Sequence, residues 1–146
     1  MKHTIKFTEM SKKELANLGK DVSDKIWDHF IKPIVQNGLT PPDELRGKYK
    51  PSWACDFVYS PMKQAFIDNA KNNNLHHYHF GFQYYKTGND KDYPGDVSDG
   101  IIHTRIEIST DETTHIILQS CLDHPSPFKY PFERTKDVGI DEQNAA

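Results

Sequence analysis

His77 and His79 lie two residues apart, His103, Arg105 and Glu107 repeat that spacing, and His115 follows a short way on. Residues two apart on a β-strand project from the same face. If the three stretches are neighbouring antiparallel strands, these side chains share one polar surface carrying imidazoles, a guanidinium and a carboxylate. Such a set can cleave RNA without metal. A base takes the proton of the 2′-hydroxyl, an acid protonates the 5′-oxygen leaving group, and a cation stabilises the phosphorane charge. Histidine exchanges protons near neutral pH, and the arginine fork matches phosphate oxygens. On this reading His79 or Glu107 is the base, His103 or His77 the acid, and Arg105 holds the phosphate. Tyr84 or Tyr85 stacks a base, and Lys86 and His115 add substrate contacts.

Two rival readings use the same residues. His77-x-His79 with His103 offers three imidazoles, enough for a catalytic zinc with one open position. Alternatively, the polar face of an antiparallel sheet holds His, Arg and Glu simply because it meets water. The chain has no Gly-rich phosphate loop, no paired CxxC and no serine nucleophile elbow, and the main reading needs no cofactor. His3 and His29 read as structural or surface residues, His124 as lying at a strand end, and Cys55 and Cys121 as buried reduced thiols.

The elements that must position these residues change period midway. Residues 2–7 alternate as a short strand. Ser11 and Glu14 form a capping box, followed by Leu15, Leu18, Val22, Ile26 and Phe30 at helical spacing until Pro33. Leu39 to Pro51 reads as a loop, and Trp53 to Tyr59 as a short extended piece. Ser60-Pro61 starts a second helix that stops at Asn72-Asn73-Asn74. Residues 75–86 then alternate, with Tyr78, Phe80, Phe82 and Tyr84 inward. Residues 100–108 place Ile102, Thr104, Ile106 and Ile108 inward, and residues 114–122 place Ile116, Leu118 and Leu122 on one face against His115, Ile117 and Gln119. The expectation is an α+β domain over 1–130, a small antiparallel sheet with two N-terminal helices packed on one face. Residues 131–146 would form an acidic, flexible tail.

Composition bounds the partners. The 146 residues are only 36% hydrophobic with mean hydropathy −0.77, yet 12% aromatic, so the core must lean on Phe, Tyr and Trp. No apolar run is long enough to span a bilayer, and Met1–Phe7 lacks the apolar stretch of a signal peptide; a cytoplasmic protein with no membrane partner is expected. Residues 1–75 carry 12 basic and 9 acidic side chains, whereas 76–146 carry 6 and 12, with six of the eight histidines. A protein that coats nucleic acid is basic throughout; RNA binding here must be local, drawing on Lys48, Lys50, Lys63, Lys71, Lys86, Arg105 and Lys129. The acidic balance also suits a non-enzymatic immunity or antitoxin-like binding protein.

The motif Leu75-x-His77-x-His79-Phe80 resembles the YafO-type toxins of bacterial toxin–antitoxin modules, relatives of the RelE mRNA interferases. The likeness extends over residues 11–125, through Gly38-Leu39-x-Pro41, Leu45-Arg46-Gly47 and Leu122-Asp123-His124-Pro125. It implies a RelE-like fold of order β-α-α-β-β-β and endoribonuclease activity on mRNA, often ribosome-bound, with a neutralising antitoxin as partner. It carries a functional role onto His77 and His79, and onto Arg46 as a substrate-binding residue. The chain departs from the family at its C-terminal end, where Asp137-Val138-Gly139-Ile140-Asp141-Glu142 replaces a basic region.

Overall fold

The computed structural model describes residues 2–37, 45–54, 60–122 and 130–140. Cys55, His124 and Lys129 lie outside the described residues, as do Gly38-Leu39-x-Pro41 and most of the Trp53–Tyr59 piece. The chain opens with β1 (Lys2–Thr8), then helices α1 (Glu9–Leu18), α2 (Lys20–Ile26) and α3 (Lys32–Asn37). Next come β2 (Tyr49–Pro51), α4 (Pro61–Asn72), β3 (Leu75–His79), β4 (Tyr85–Lys86) and β5 (Val97–Ser98). It ends with β6 (Ile101–Ile108), β7 (Glu112–Cys121), a 3₁₀ turn at Phe132–Arg134 and β8 (Gly139–Ile140). Among the described residues six strands form one sheet in the order β2-β3-β6-β7-β1-β8, and β4 and β5 make a separate ribbon. All pairings in the main sheet are antiparallel except β1 with β7. The fold is α+β. Among the described residues no helix is long and apolar enough to cross a membrane.

The first helix starts earlier than the capping box suggests. Thr8 is the N-cap, accepting the Ser11 N–H at 3.0 Å. Glu14 instead accepts the Ser120 N–H at 2.9 Å and pairs with Arg134 at 3.0 Å. The helical run is interrupted at Gly19, and a π-turn spans Trp27–Ile31, where Lys32 N–H reaches the Trp27 carbonyl. Pro33 supplies a reason for that widening: it has no N–H to return to the His29 carbonyl four residues back. The Tyr78 hydroxyl donates to that carbonyl at 3.1 Å. At α4 the expected start holds, with Ser60 Oγ accepting the Lys63 N–H at 3.1 Å.

Both faces of the sheet are covered. Val22, Ile26, Phe30, Ile31 and Ile34 pack on Tyr49, Tyr78, Ile102 and Ile117. On the other side Ala70 of α4 and Tyr130 cover Leu75, Ile116 and Leu118. Helices on one face only is therefore corrected: α4 lies opposite the N-terminal helices. A register shift between His103 and Thr104 pairs Thr104 with Ile117 and Ile106 with His115. So His115 and Ile117, expected outward, face the N-terminal helices, while Ile116 and Leu118 lie under α4.

Two further boundaries move. The strand expected over 75–86 ends at His79, because Gly81 adopts φ +65 and turns the chain. Tyr78 and Phe80 are fully buried, but Tyr84 is exposed. The expected tail is docked as far as Ile140: β8 pairs with Phe7 and Thr8 of β1, and Thr135 accepts a hydrogen bond from Arg105.

Candidate active-site cleft

Lys50 of β2 stands opposite His77 of β3, and His77 stands opposite His103 of β6. Two residues along each strand, the His79 N–H donates to the Lys48 carbonyl at 3.1 Å. Strand periodicity then sorts the side chains. Lys48, Lys50 and Ser52 share the face of His77 and His79, while Tyr49 between them enters the core. Gly47 permits this approach: a Cβ there would lie 1.8 Å from the His79 carbonyl oxygen.

A cleft of about 400 Å³ opens on this face. Lys48, Lys50 and Ser52 form one wall and His77 and His79 another, α4 adds Lys63, and the β4–β5 ribbon adds Tyr84, Lys86 and Ser98. Four ammonium groups thus meet two imidazoles in one concavity. Three of those lysines come from the basic half of the chain, so the acidic balance of residues 76–146 does not describe the cleft.

Both imidazoles are oriented through Nδ1. His77 Nδ1 lies 3.1 Å from Ser52 Oγ. His79 Nδ1 lies 3.1 Å from the Ser98 carbonyl oxygen and 3.2 Å from the Ser98 nitrogen. Ser98 therefore offers an acceptor and a donor to the same ring nitrogen, and either neutral tautomer of His79 finds a partner. The two rings stand 5.7 Å apart, centroid to centroid.

Among the described residues, one carboxylate pairs with the lysines of the cleft. Asp90 Oδ2 lies 2.8 Å from Lys50 Nζ and 3.8 Å from Lys48 Nζ. Burial, with the neighbouring Lys50 ammonium, lowers the Lys48 amine below its ordinary range. The hydrogen bond from Lys50, helped by the Asp92 N–H, lowers the Asp90 carboxyl to about 2.

The remaining expected site residues fall elsewhere. His103 is buried beside His77 in the sheet. Arg105 stands opposite Leu75, donating to the Thr135 carbonyl at 2.8 Å and to Glu107 at 3.2 Å. It ties down the C-terminal segment, and neither it nor Glu107 lines the cleft. Arg46 stacks on the Tyr85 ring at 4.0 Å, outside the cleft lining, while the Tyr85 hydroxyl donates to the Phe80 carbonyl at 3.0 Å. His115 lies on the opposite face, bonded to Tyr49 at 3.0 Å and to His3 at 2.9 Å. Of the expected residues, His77, His79, Tyr84 and Lys86 converge. The contribution of Ser52 and Ser98, and the placing of Lys48, Lys50 and Lys63 beside the histidines, are new. Lys48 and Lys50 alternate with Ser52 as strand residues do, but Gly47 before them and Pro51 among them read as loop residues.

Among the described residues no group of three or more His, Cys, Asp or Glu is arranged to hold a metal ion. Comparison with protein-family models, with curated proteins and with solved structures finds no match.

Proposed function

We propose that the chain is an endoribonuclease that cleaves RNA at the His77–His79 cleft by metal-independent transphosphorylation. The supporting observation is the meeting of two Nδ1-oriented imidazoles with four lysines in one cleft. In the proposed step the O2′–P bond forms as the P–O5′ bond breaks. One ring accepts the 2′-hydroxyl proton through Nε2, and the other delivers a proton to the departing 5′-oxygen. Lys48, Lys50, Lys63 and Lys86 stabilise the phosphorane charge, the role first expected of Arg105. Tyr84, 55% exposed at the cleft, offers a ring to an unstacked base. In finer terms the protein is a RelE-like, YafO-type toxin acting on messenger RNA in the cytoplasm, neutralised by an antitoxin protein. That part rests on the Leu75–Phe80 motif.

The test is cleavage of a short RNA in the presence of a chelator, beside the same strand carrying 2′-deoxynucleotides. The wild type cuts only the RNA and leaves a 2′,3′-cyclic phosphate. His77→Ala and His79→Ala each lose about a hundredfold or more in rate. Cleavage of the deoxy strand, or an unchanged rate in the double variant, overturns the reading. Induced expression in bacteria should arrest growth, and His79→Ala should relieve it.

A further inference from the structure

Outside the imidazoles, the most unusual contact in the cleft is the one between Asp90 and the two lysines of the β2 wall. Among the described residues the other lysine ion pairs, Lys13–Glu9 and Lys20–Asp24, are exposed and one helical turn apart. Lys48, Lys50 and Asp90 are different: their side chains are only 12%, 20% and 19% exposed, and Asp90 comes from a loop forty residues further along the chain. The loop is folded to present the carboxylate. Asp90 Oδ1 accepts the N–H groups of Asp92 at 3.0 Å and Tyr93 at 3.3 Å, leaving Oδ2 for the lysines. The Tyr93 ring sits 5.5 Å from Lys50 Nζ. The far end of the loop is clamped, with Lys48 N–H donating to the Asp96 carbonyl and Asp96 N–H to the Arg46 carbonyl, both at 2.8 Å.

We infer that the Lys48–Lys50 pair is a phosphate subsite held in reserve by Asp90, whose carboxylate competes with an incoming phosphate for the same two ammonium groups. One carboxylate oxygen shared between two ammoniums is the charge pattern that a phosphate oxygen also satisfies, and a phosphate dianion satisfies it with more charge. Among the described residues one carboxylate faces these two cations, which leaves an attraction to draw the ligand in. The consequence is selectivity by charge. A ligand must carry phosphate groups close together, as successive phosphodiesters or a diphosphate do, to outcompete an intramolecular carboxylate. The competition deepens the reading given above, since it concerns the substrate phosphates of the same cleft.

The experiment titrates inorganic pyrophosphate, and separately a short single-stranded DNA, into the full chain by calorimetry. Asp90→Asn keeps the Oδ1 acceptor that folds the loop and removes the competing charge. It should bind both ligands at least about fivefold more tightly than the wild type, whereas Lys48→Gln and Lys50→Gln should bind them more weakly. A second readout uses the wild type alone. Hydrogen exchange at the amides of Asp92 and Tyr93 should quicken as pyrophosphate is added, because releasing Asp90 releases its acceptor. Equal or weaker binding by Asp90→Asn, no binding by either protein, or unchanged exchange at those amides overturns the inference. RNA cleavage on the same samples separates the two readings: tightened pyrophosphate binding without cleavage sinks the nuclease and leaves the subsite standing.

Discussion

Lys50 and His77 stand directly opposite each other across the β2–β3 pair, so an ammonium and an imidazole leave the sheet on the same face. This pairing depends on a three-residue edge strand that ends in Pro51. Proline is admissible there because the outer edge of an edge strand needs no ladder hydrogen bond. The groups proposed for catalysis and for phosphate binding are thereby drawn from two different parts of the chain onto one short ladder.

Salt dependence should report that arrangement. Each phosphate contact to a single strand contributes a slope of about 0.7 in log affinity against log salt. Replacing Lys50 by Gln removes one contact, so the slope for RNA binding should shrink by roughly that amount. Fluorescence anisotropy over a range of salt concentrations measures it, and a parallel line for the variant would show that Lys50 touches no phosphate.

The close approach of Gly47 to β3 yields a second expectation. A methyl at this position would collide with the His79 carbonyl, which is backbone and cannot swing aside. Gly47→Ala should therefore destabilise the fold by about 2–3 kcal/mol and displace Lys48 from the cleft. Urea denaturation tests the first effect and RNA affinity the second. Wild-type values for both would mean that the chain relaxes there at no cost.

The legible part of this molecule was its periodicity. Residues 2–7, 100–108 and 114–122 alternate, and each is a strand within two residues at either end. Ser60-Pro61 starts α4 because the hydroxyl cap and the fixed proline φ act locally. Local signals failed where tertiary structure decides. The shift after His103 exchanges the faces of β7, and alternation alone carries no information about which face is buried. Arg105 and Glu107 do alternate with His103, yet the docked C-terminal segment claims the guanidinium. Lys48 and Lys50 were readable only as charge, since the β2 edge exists through its pairing with β3 rather than through propensity.

Acid should weaken the fold through the core network on the other face. Burial lowers His115 to about 3, and His3 and His76 add to the effect. An unfolded histidine titrates near 6.5. Between those values the unfolded chain holds a proton that the folded chain lacks. Stability is therefore complete above about pH 6.5 and falls as pH drops toward 3, by on the order of 1 kcal/mol per pH unit. Urea midpoints at neutral and mildly acidic pH measure the slope. His115→Gln, which can still meet the Tyr49 hydroxyl, should flatten it; an identical slope in both proteins would assign the acid sensitivity elsewhere.

The Tyr78 hydroxyl connects the π-turn to the cleft, and its loss should be felt at both. It donates to the His29 carbonyl at 3.1 Å and accepts the Gly47 N–H at 3.1 Å. Phenylalanine at this position keeps the ring in the core but strips two backbone groups of their partner, at a cost of about 1–3 kcal/mol. The His29 carbonyl needs that hydroxyl because Pro33 has no N–H to offer. Pro33→Ala restores a donor, so Tyr78→Phe should cost less in the Pro33→Ala background than in the wild type. A double-mutant cycle in urea measures the coupling. Strict additivity of the two changes would show that the carbonyl is satisfied independently of Pro33, and that the π-turn has another cause.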